Sequence, residues 1–269
     1  MLDSLVTDLY ERRIHARPAA GAAAVVRQRA QARLSRLILP SPSLIVVRRG
    51  RKTAAWGGQS LTTGAGQAVL LAEGCFDITN HPDADGLYEA FWLSWAPDVL
   101  APLRVAAPAA PAVTLPVAPA FADALEAAFR AVGDPALPDA VAAHRMSEIV
   151  HWLRPLGAVL PRAAEPDIAQ RARRCLSDDP ARKWRLQTLA ACLKMSAASL
   201  RRALSRHGGG FSDLLIDVRM SAALNLLQCT DLPVDRIALD VGYDSASRFA
   251  VRFRERFGFA PSALRGHRR

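Results

Sequence analysis

The sequence predicts an α+β protein in which a β-barrel with flanking helices precedes an all-α domain. Short apolar runs separated by glycine occupy residues 37–115, whereas the residues beyond 166 show helical periodicity throughout. The proline-containing stretch PRAAEP (161–166) lies between these two regions. Because 269 residues exceed the usual size of one domain, we expect an N-terminal domain at 1–160, a linker at 161–166 and a C-terminal domain at 167–269.

The first 33 residues are expected to form a helical arm. Leu2, Leu5, Val6 and Leu9 have the spacing of one helix face, and an Ala/Arg-rich segment follows. Four apolar runs then predict strands: LIVV (44–47), AVLLA (68–72), CFDIT (75–79) and LYEAFWLSW (87–95). Many short strands with closely spaced glycine turns are typical of a small barrel or sandwich.

Prolines between 97 and 119 predict a connector, and two helices are expected after it, near 120–132 and 138–157. Apolar residues form one stripe on the second helix: Met146, Ile149, Val150, Leu153 and Leu156. This stripe fits two interpretations equally well. It is either the seam of a homodimer formed through 138–157 or a surface that packs against the barrel.

The positive charge is concentrated in the last third of the chain. Residues 167–269 contain 19 Arg and Lys against 10 Asp and Glu, which is nearly all of the formal net charge of +10. This asymmetry indicates a polyanionic partner for the C-terminal domain, either nucleic acid or an acidic membrane surface.

The remaining composition argues against several classes of protein. No apolar run approaches the roughly 18 residues of a membrane span, and Asp3, Asp8 and Glu11 do not fit a secretory signal. The four cysteines are scattered without a C-x-x-C pair, a pattern that favours reduced thiols over disulfides or a zinc site. We therefore expect a cytoplasmic protein without a membrane partner.

The stretch GYDSASRFAVRFRERFGFAPSALR (242–265) predicts a helix that starts near Ser245. Phe249, Phe253 and Phe257 then lie on one face, and Arg248, Arg252 and Arg256 form a neighbouring outward stripe. VDRIALDV (234–241) predicts a shorter helix that ends at Gly242, where glycine suits a tight turn. Two short helices joined by a glycine turn, the second with a basic outer face, indicate a helix-turn-helix.

The same pattern occurs once more, earlier in the C-terminal domain. Leu189, Ala190, Leu193, Leu200 and Leu204 correspond in order to Ile237, Ala238, Val241, Phe249 and Phe253. Ser196 takes the capping position of Ser245, and one extra residue lies in the second turn. Between the two units, residues 211–230 predict a helix of about 28 Å, close to the roughly 34 Å between successive major grooves on one side of DNA.

These stretches resemble the signature of the AraC/XylS family of bacterial transcription regulators, and RMSAALNLL (219–227) is similar to that family's R-x-x-x-A-x-x-L-L linker helix. The resemblance implies sequence-specific binding to double-stranded DNA and, usually, activation through contact with RNA polymerase. It also implies base-reading positions at Ala198, Arg201 and Arg202 in the first unit and at Ser247, Arg248 and Val251 in the second.

The chemistry of the side chains suggests a role for each position. Arg201, Arg202 and Arg248 suit bidentate contacts with guanine, whereas Ala198 and Val251 can contact only a thymine methyl. Arg252 and Arg256 suit phosphate neutralisation. Ser196, at the start of the first reading helix, completes the candidate DNA contacts.

Residues 42–72 are similar to the cupin-like effector domains that precede many regulators of this family, which implies control by an unidentified small molecule or partner. The candidate effector contacts are Arg48, Arg51, Glu89 and Trp95. Alternation along LYEAFWLSW places Glu89 and Trp95 on one face. Glu89 is a buried acid if that face lines the barrel interior and a solvated residue if it lies at an edge or mouth.

Histidines give no support to metal chemistry. His81 is alone in the β region, and His144 and His151 lie seven residues apart in a helix, so we expect no metal, cofactor or catalytic residue. Two alternatives stay open: a cupin-type enzyme tethered to DNA, and an architectural DNA binder without effector control. The missing histidine cluster disfavours the first, and the arginines in the reading helices disfavour the second.

Overall fold

The computed structural model describes residues 15–29, 31–105, 110–160, 167–206, 209–230 and 232–262. These residues divide into two compact units: residues up to 160, without 35–38, form the first, and residues 35–38 together with those from 167 onward form the second. The α+β prediction is confirmed, with strands in the N-terminal part of the chain and helices in the C-terminal part.

The described strands lie in the first unit, except that residues 35–38 of β3 belong to the second. They are β1 (His15–Arg17), β2 (Gly21–Gln28), β3 (Ala32–Leu39), β4 (Ser43–Arg49), β5 (Arg51–Trp56), β6 (Gln59–Gly64), β7 (Gln67–Leu71), β8 (Gly74–His81), β9 (Tyr88–Trp95) and β10 (Ala112–Pro116). They form a six-stranded sheet, in the order β1-β2-β9-β4-β7-β10, and a four-stranded sheet, in the order β3-β8-β5-β6. The barrel expected from the sequence is thus, among the described residues, a pair of separate sheets.

The two sheets face each other. The hydroxyl groups of Thr63 on β6 and Thr114 on β10 are 2.8 Å apart, and the Asn80 amide on β8 donates to the Gln28 side chain on β2. The helices of this unit are α1 (Pro97–Leu100), α2 (Pro119–Gly133) and α3 (Asp139–Leu153). Phe121 and Phe129 of α2 and Met146 and Ile149 of α3 pack in one core with Leu93 and Trp95 of the six-stranded sheet.

The apolar stripe on α3 is therefore used within the chain. Met146, Ile149, Val150 and Leu153 are buried in the core that α2 and the six-stranded sheet share, and Leu156, just after α3, is partly buried against it. Of the two interpretations of the stripe, this burial agrees with packing against the sheets of the same chain. A homodimer through 138–157 stays a prediction, but the stripe no longer supports it.

The prediction of a helical arm over residues 1–33 is wrong for the part that the structure describes. Residues 15–17 and 21–28 form the strands β1 and β2 instead. The alanines of GAAAVVRQ favour a helix in isolation. However, β2 pairs with β9 along its whole length, from Gly21 opposite Trp95 to Gln28 opposite Tyr88, and tertiary pairing outweighs the local preference. Residues 1–14 lie outside the described part of the chain.

The second unit consists of helices α4 (Ile168–Ser177), α5 (Leu186–Cys192), α6 (Ala197–Arg206), α7 (Phe211–Cys229), α8 (Val234–Asp240) and α9 (Ala246–Phe257), besides the short segment 35–38. Asp167 and Gln170 form a reciprocal capping box that begins α4. In the described part of the chain, no helix has the length and apolar character needed to span a membrane.

Candidate nucleic-acid interface

The first helix-turn-helix consists of α5 and α6. Four residues separate the helices, and Lys194 among them has a positive φ of 56°. The chain reverses there because the Met195 amide donates to the Ala190 carbonyl at 2.9 Å. The Ser196 hydroxyl then accepts from the Ser199 amide at 3.1 Å, which caps α6 as predicted.

The second helix-turn-helix, α8 and α9, repeats this geometry. Gly242 has a φ of 85° where the first unit has Lys194, and the Tyr243 amide donates to the Ala238 carbonyl at 2.8 Å. The Ser245 hydroxyl accepts from the Arg248 amide at 3.4 Å. Five residues separate these helices, so the one-residue insertion predicted for the second turn is confirmed.

Both units are held by buried apolar residues at the positions that the sequence repeat identified. These residues are Leu189, Ala190, Leu193, Leu200 and Leu204 in the first unit and Ile237, Ala238, Val241, Phe249 and Phe253 in the second. In α9, the rings of Phe249, Phe253 and Phe257 contact one another in series at 5.6 and 4.6 Å between centroids. This packing fixes which side of each second helix faces solvent.

All eight candidate DNA contacts lie between the capping position and the middle of α6 or α9, and all are exposed. They are Ser196, Ala198, Arg201, Arg202, Ser247, Arg248, Val251 and Arg252. Val251 is 57% exposed although it is apolar. Arg202 lies 3.4 Å from the Ser199 hydroxyl, and Arg252 pairs at 3.1 Å with Glu255, itself exposed. Such surface pairs are weak, so both guanidinium groups can exchange them for contacts with DNA.

Arg256 differs from the prediction, because it does not join the outward stripe. Its guanidinium Nη2 lies 2.9 Å from the Asp217 carboxylate of α7, and the side chain is largely buried. Burial raises the pKa of Asp217, and the positive charge of Arg256 opposes that rise. Arg256 therefore anchors α9 to α7 instead of facing outward toward phosphate.

Arg219 on α7 contacts residues next to both helix-turn-helix motifs, although it was not among the predicted site residues. Its guanidinium donates to the Pro180 and Arg182 carbonyls, which precede α5, at 3.0 and 3.1 Å. It also lies over the Tyr243 ring in the second turn, 5.8 Å from the centroid. Arg219 is the arginine of the R-x-x-x-A-x-x-L-L pattern, and that pattern was the available signal.

The expectation of reduced thiols is wrong for two cysteines, because the structure contains a disulfide between Cys175 and Cys192. Cys175 lies on α4 and Cys192 ends α5. They are 17 residues apart without a C-x-x-C motif, so only the packing of α5 against α4 brings them together. Metal binding gains no support, since the described residues contain no group of three His, Cys, Asp or Glu side chains arranged for an ion.

The candidate effector contacts of the first unit do not form one cluster. Glu89 is 5% exposed, and its carboxylate accepts from Arg27 at 2.6 Å and lies 3.6 Å from Arg48. Trp95 is buried in the core with α3 and donates its indole N–H to the Met146 carbonyl. Arg51 is exposed on β5. The structure thus brings Arg48 and Glu89 together and places Arg51 and Trp95 elsewhere.

The face that carries Glu89 and Trp95 does not line the space between the sheets. Phe91 contacts Phe129 of α2 at 5.2 Å between ring centroids, and Leu93 lies in the same core. The inward side of β9 carries Tyr88 instead. Lys52 on β5 is buried and its ammonium lies over the Tyr88 ring, but Lys52 was not among the predicted site residues. Its alternation with the buried Ala54 along β5 was the pattern that could have indicated its burial.

Comparison with known proteins agrees with this geometry. Residues 189–267 match the family model described as a helix-turn-helix domain. The urease operon transcriptional activator of Escherichia coli is 36% identical over 90 residues, or 34% of this chain and 30% of that protein. The regulator YdeO of E. coli K12 is 34% identical over 97 residues, or 36% of this chain and 38% of its own length. The chain thus spans about a third of the length of these curated relatives.

A likeness over nearly the whole chain is seen with solved structures. ToxT from Vibrio cholerae with a bound unsaturated fatty acid has a TM-score of 0.71 and covers 91% of this chain and 95% of its own, at 14% identity. At that identity the likeness shows the fold alone. The repeated turn geometry and the family model together show a helix-turn-helix domain in the C-terminal unit, of the AraC type that the sequence resemblance indicated.

Proposed function

We propose that this protein is a transcription regulator that binds specific sequences of double-stranded DNA through α6 and α9. The observation that carries the proposal is the repeated geometry. Two turns with equivalent hydrogen bonds each present a helix whose inner side is buried and whose outer side carries exposed arginines. The net positive charge of the same region supports it, because DNA is a polyanion.

The exposed residues divide by chemistry into two groups. Arg201, Arg202 and Arg248 read guanine, because a guanidinium group donates to O6 and N7 together, and Val251 and Ala198 contact thymine methyl groups. Arg252 and Ser196 contact phosphate and Ser247 a base edge.

The regulation is proposed to involve the first unit. The chain shares its fold with ToxT, whose structure contains a bound unsaturated fatty acid; this likeness supports an effector role for the unit, exerted by a small molecule or a protein partner. The matched relatives are transcription regulators. We propose a cytoplasmic activator that contacts RNA polymerase and is not an enzyme, and a homodimer through 138–157 stays a separate prediction.

The experiment that tests DNA recognition is selection of bound duplexes from a random pool by the full chain. We expect an enriched motif with two half-sites about one helical turn apart, because the two reading helices are joined by a helix of 19 residues. Enrichment of no motif, with binding of all duplexes alike, would mean an architectural binder. Absence of binding at low salt would refute the proposal.

A further inference from the structure

Four polar side chains meet between the two sheets of the first unit, and none of them has a role so far. Lys52 and Asn80 are opposite each other on β5 and β8, and Gln28 and Tyr88 are opposite each other on β2 and β9. Lys52 Nζ donates to Asn80 Oδ1 at 2.6 Å, and Asn80 Nδ2 donates to Gln28 Oε1 at 2.9 Å. Lys52 Nζ also lies 5.6 Å from the centre of the Tyr88 ring. We call these four residues the Lys52 cluster.

Two members of the cluster have unused hydrogen-bond donors. Lys52 is 7% exposed, and Asn80 accepts one of the three N–H groups of its ammonium. Tyr88 is completely buried, and its hydroxyl has no hydrogen-bond partner in the described structure. A buried donor without an acceptor lowers stability, so an acceptor supplied from outside the chain would stabilise the cluster.

An acceptor with negative charge suits this site, because it favours the ammonium form of Lys52. Among the described residues, no carboxylate pairs with Lys52, and burial lowers the pKa of its amine to about 7. Glu89, although adjacent to Tyr88, is bound by Arg27 on the other side of β9. An anion beside Lys52 would replace the solvation that the ammonium loses on burial.

We propose that the Lys52 cluster binds the carboxylate group of a small organic acid, with Lys52 Nζ and Tyr88 Oη donating to its oxygens. Because Lys52 Nζ lies 5.6 Å from the centre of the Tyr88 ring, its ammonium and the hydroxyl of that ring can each donate to one oxygen of a carboxylate. The next inward residues on the same strands are Ala54, Ile78 and Ala90, all buried and apolar, which favours an apolar group next to the carboxylate. Gln28, the half-buried member, marks the side of the cluster closest to solvent.

Binding of a carboxylate to the Lys52 cluster can be tested without DNA. Only the interpretation of the cluster as an effector site rests on the proposed function. The probes are therefore benzoate and butyrate, each compared with its neutral amide, titrated calorimetrically into the full chain. The variants are Lys52→Met, which removes the charge, and Tyr88→Phe, which removes the hydroxyl. Arg33→Met is the matched control, because this exposed arginine lies on β3 of the same four-stranded sheet and outside the cluster.

We expect a carboxylate to bind with at least tenfold preference over its amide. Lys52→Met should abolish that preference and Tyr88→Phe should weaken binding about tenfold, while Arg33→Met leaves it unchanged. Tyr88→Phe removes a buried hydroxyl that has no partner, and Lys52→Met replaces a buried amine by an apolar side chain of similar size; circular dichroism establishes that both variants fold. Equal binding of acid and amide, or full affinity in Lys52→Met, would overturn the site. No binding of either acid at about 10 mM, roughly tenfold above a Kd of 1 mM, would overturn it as well. Fluorescence anisotropy with duplex DNA on the same samples reports separately on DNA binding.

Discussion

At the scale of single residues, the two turns achieve the same backbone geometry with different side chains. Lys194 and Gly242 both have positive φ, but their surroundings differ. Lys194 is exposed, whereas a Cβ at Gly242 would lie 2.5 Å from Arg219 Nη2 and 2.9 Å from the Pro180 carbonyl. The second turn therefore requires glycine, because Arg219 occupies the space that a side chain would need.

Gly242→Ala is expected to destabilise the second unit by more than the roughly 1–2 kcal/mol that a left-handed backbone costs a residue with a Cβ. The additional loss comes from displacement of Arg219. Gly258→Ala is the matched control, since Gly258 has a φ of 80° and no atom within 4 Å of its added Cβ. Urea unfolding measures the free energy of unfolding of both variants. Equal losses in the two variants would show that Arg219 moves aside without a measurable cost in stability.

Arg202→Ala and Arg252→Ala are expected to have different effects on DNA binding. A base-reading arginine contributes about 1–3 kcal/mol of discrimination at one position, so Arg202→Ala should reduce affinity for the selected motif much more than for random duplex. Loss of a phosphate contact should weaken binding to all duplexes and flatten the salt dependence by about one unit. Arg145→Ala, on α3 of the first unit, controls for charge. Equal losses on both kinds of duplex in both variants would refute this division.

Lys52 should make the stability of the protein depend on pH. Its pKa is about 7 in the folded chain and 10.5 as an ordinary lysine, so between these values the unfolded chain binds more protons. The free energy of unfolding contributed by this residue therefore rises with pH from about 7 to 10.5 and is lowest below 7. Lys52→Met should remove this rise and be more stable than the wild type at pH 6. Urea unfolding at pH 6 and pH 9.5 tests this; an unchanged slope in the variant would contradict it.

At the scale of elements, a segment was predictable where one periodic apolar face decides its structure. The phenylalanines of α9 and their counterparts on α6 identify the buried side, and the boundaries of α7 and α8 follow from the same spacing. The alanine-rich β2 was not predictable, because its conformation depends on pairing with β9, more than 60 residues away along the chain.

Arg256 shows a second limit of sequence reasoning. A helix has 3.6 residues per turn, so each step of four residues rotates a stripe by about 40°. Arg256 is thus about 80° from Arg248, which is enough to bring it from the outer side toward Asp217. Likewise, the alternation in β9 established two faces but did not show which of them α2 and α3 cover.

The disulfide between α4 and α5 is expected to stabilise the second unit. Closing a loop of about 15 residues contributes roughly 3 kcal/mol by restricting the unfolded chain, and Cys175 and Cys192 are 17 residues apart. Cys192→Ser should therefore unfold at lower temperature than the oxidised wild type and at about the same temperature as the wild type under reducing conditions. Cys75→Ser serves as the control. Identical calorimetric transitions with and without reductant would contradict this role.

At the scale of the whole molecule, the excess of basic residues begins at the same part of the chain as the helical unit. The region from 167 onward carries 19 of the 35 basic residues with only 10 of the 25 acidic ones, and it coincides with the helical unit, apart from the short segment 35–38. Both helix-turn-helix motifs and their connecting helix lie within it. The part that binds DNA should therefore be separable from the part proposed to receive the effector.

A fragment comprising residues 161–269 is accordingly expected to bind duplex DNA without the strands. Its affinity at low salt and the slope of its binding against the logarithm of salt concentration should equal those of the full chain, because both depend on the number of phosphates neutralised by α6 and α9. Circular dichroism first establishes that the fragment is helical, and anisotropy titrations at several salt concentrations give the slopes. A helical fragment with a clearly smaller slope would mean that residues before 161 also contact DNA. A helical fragment that binds no duplex at low salt would refute the assignment of DNA binding to this unit.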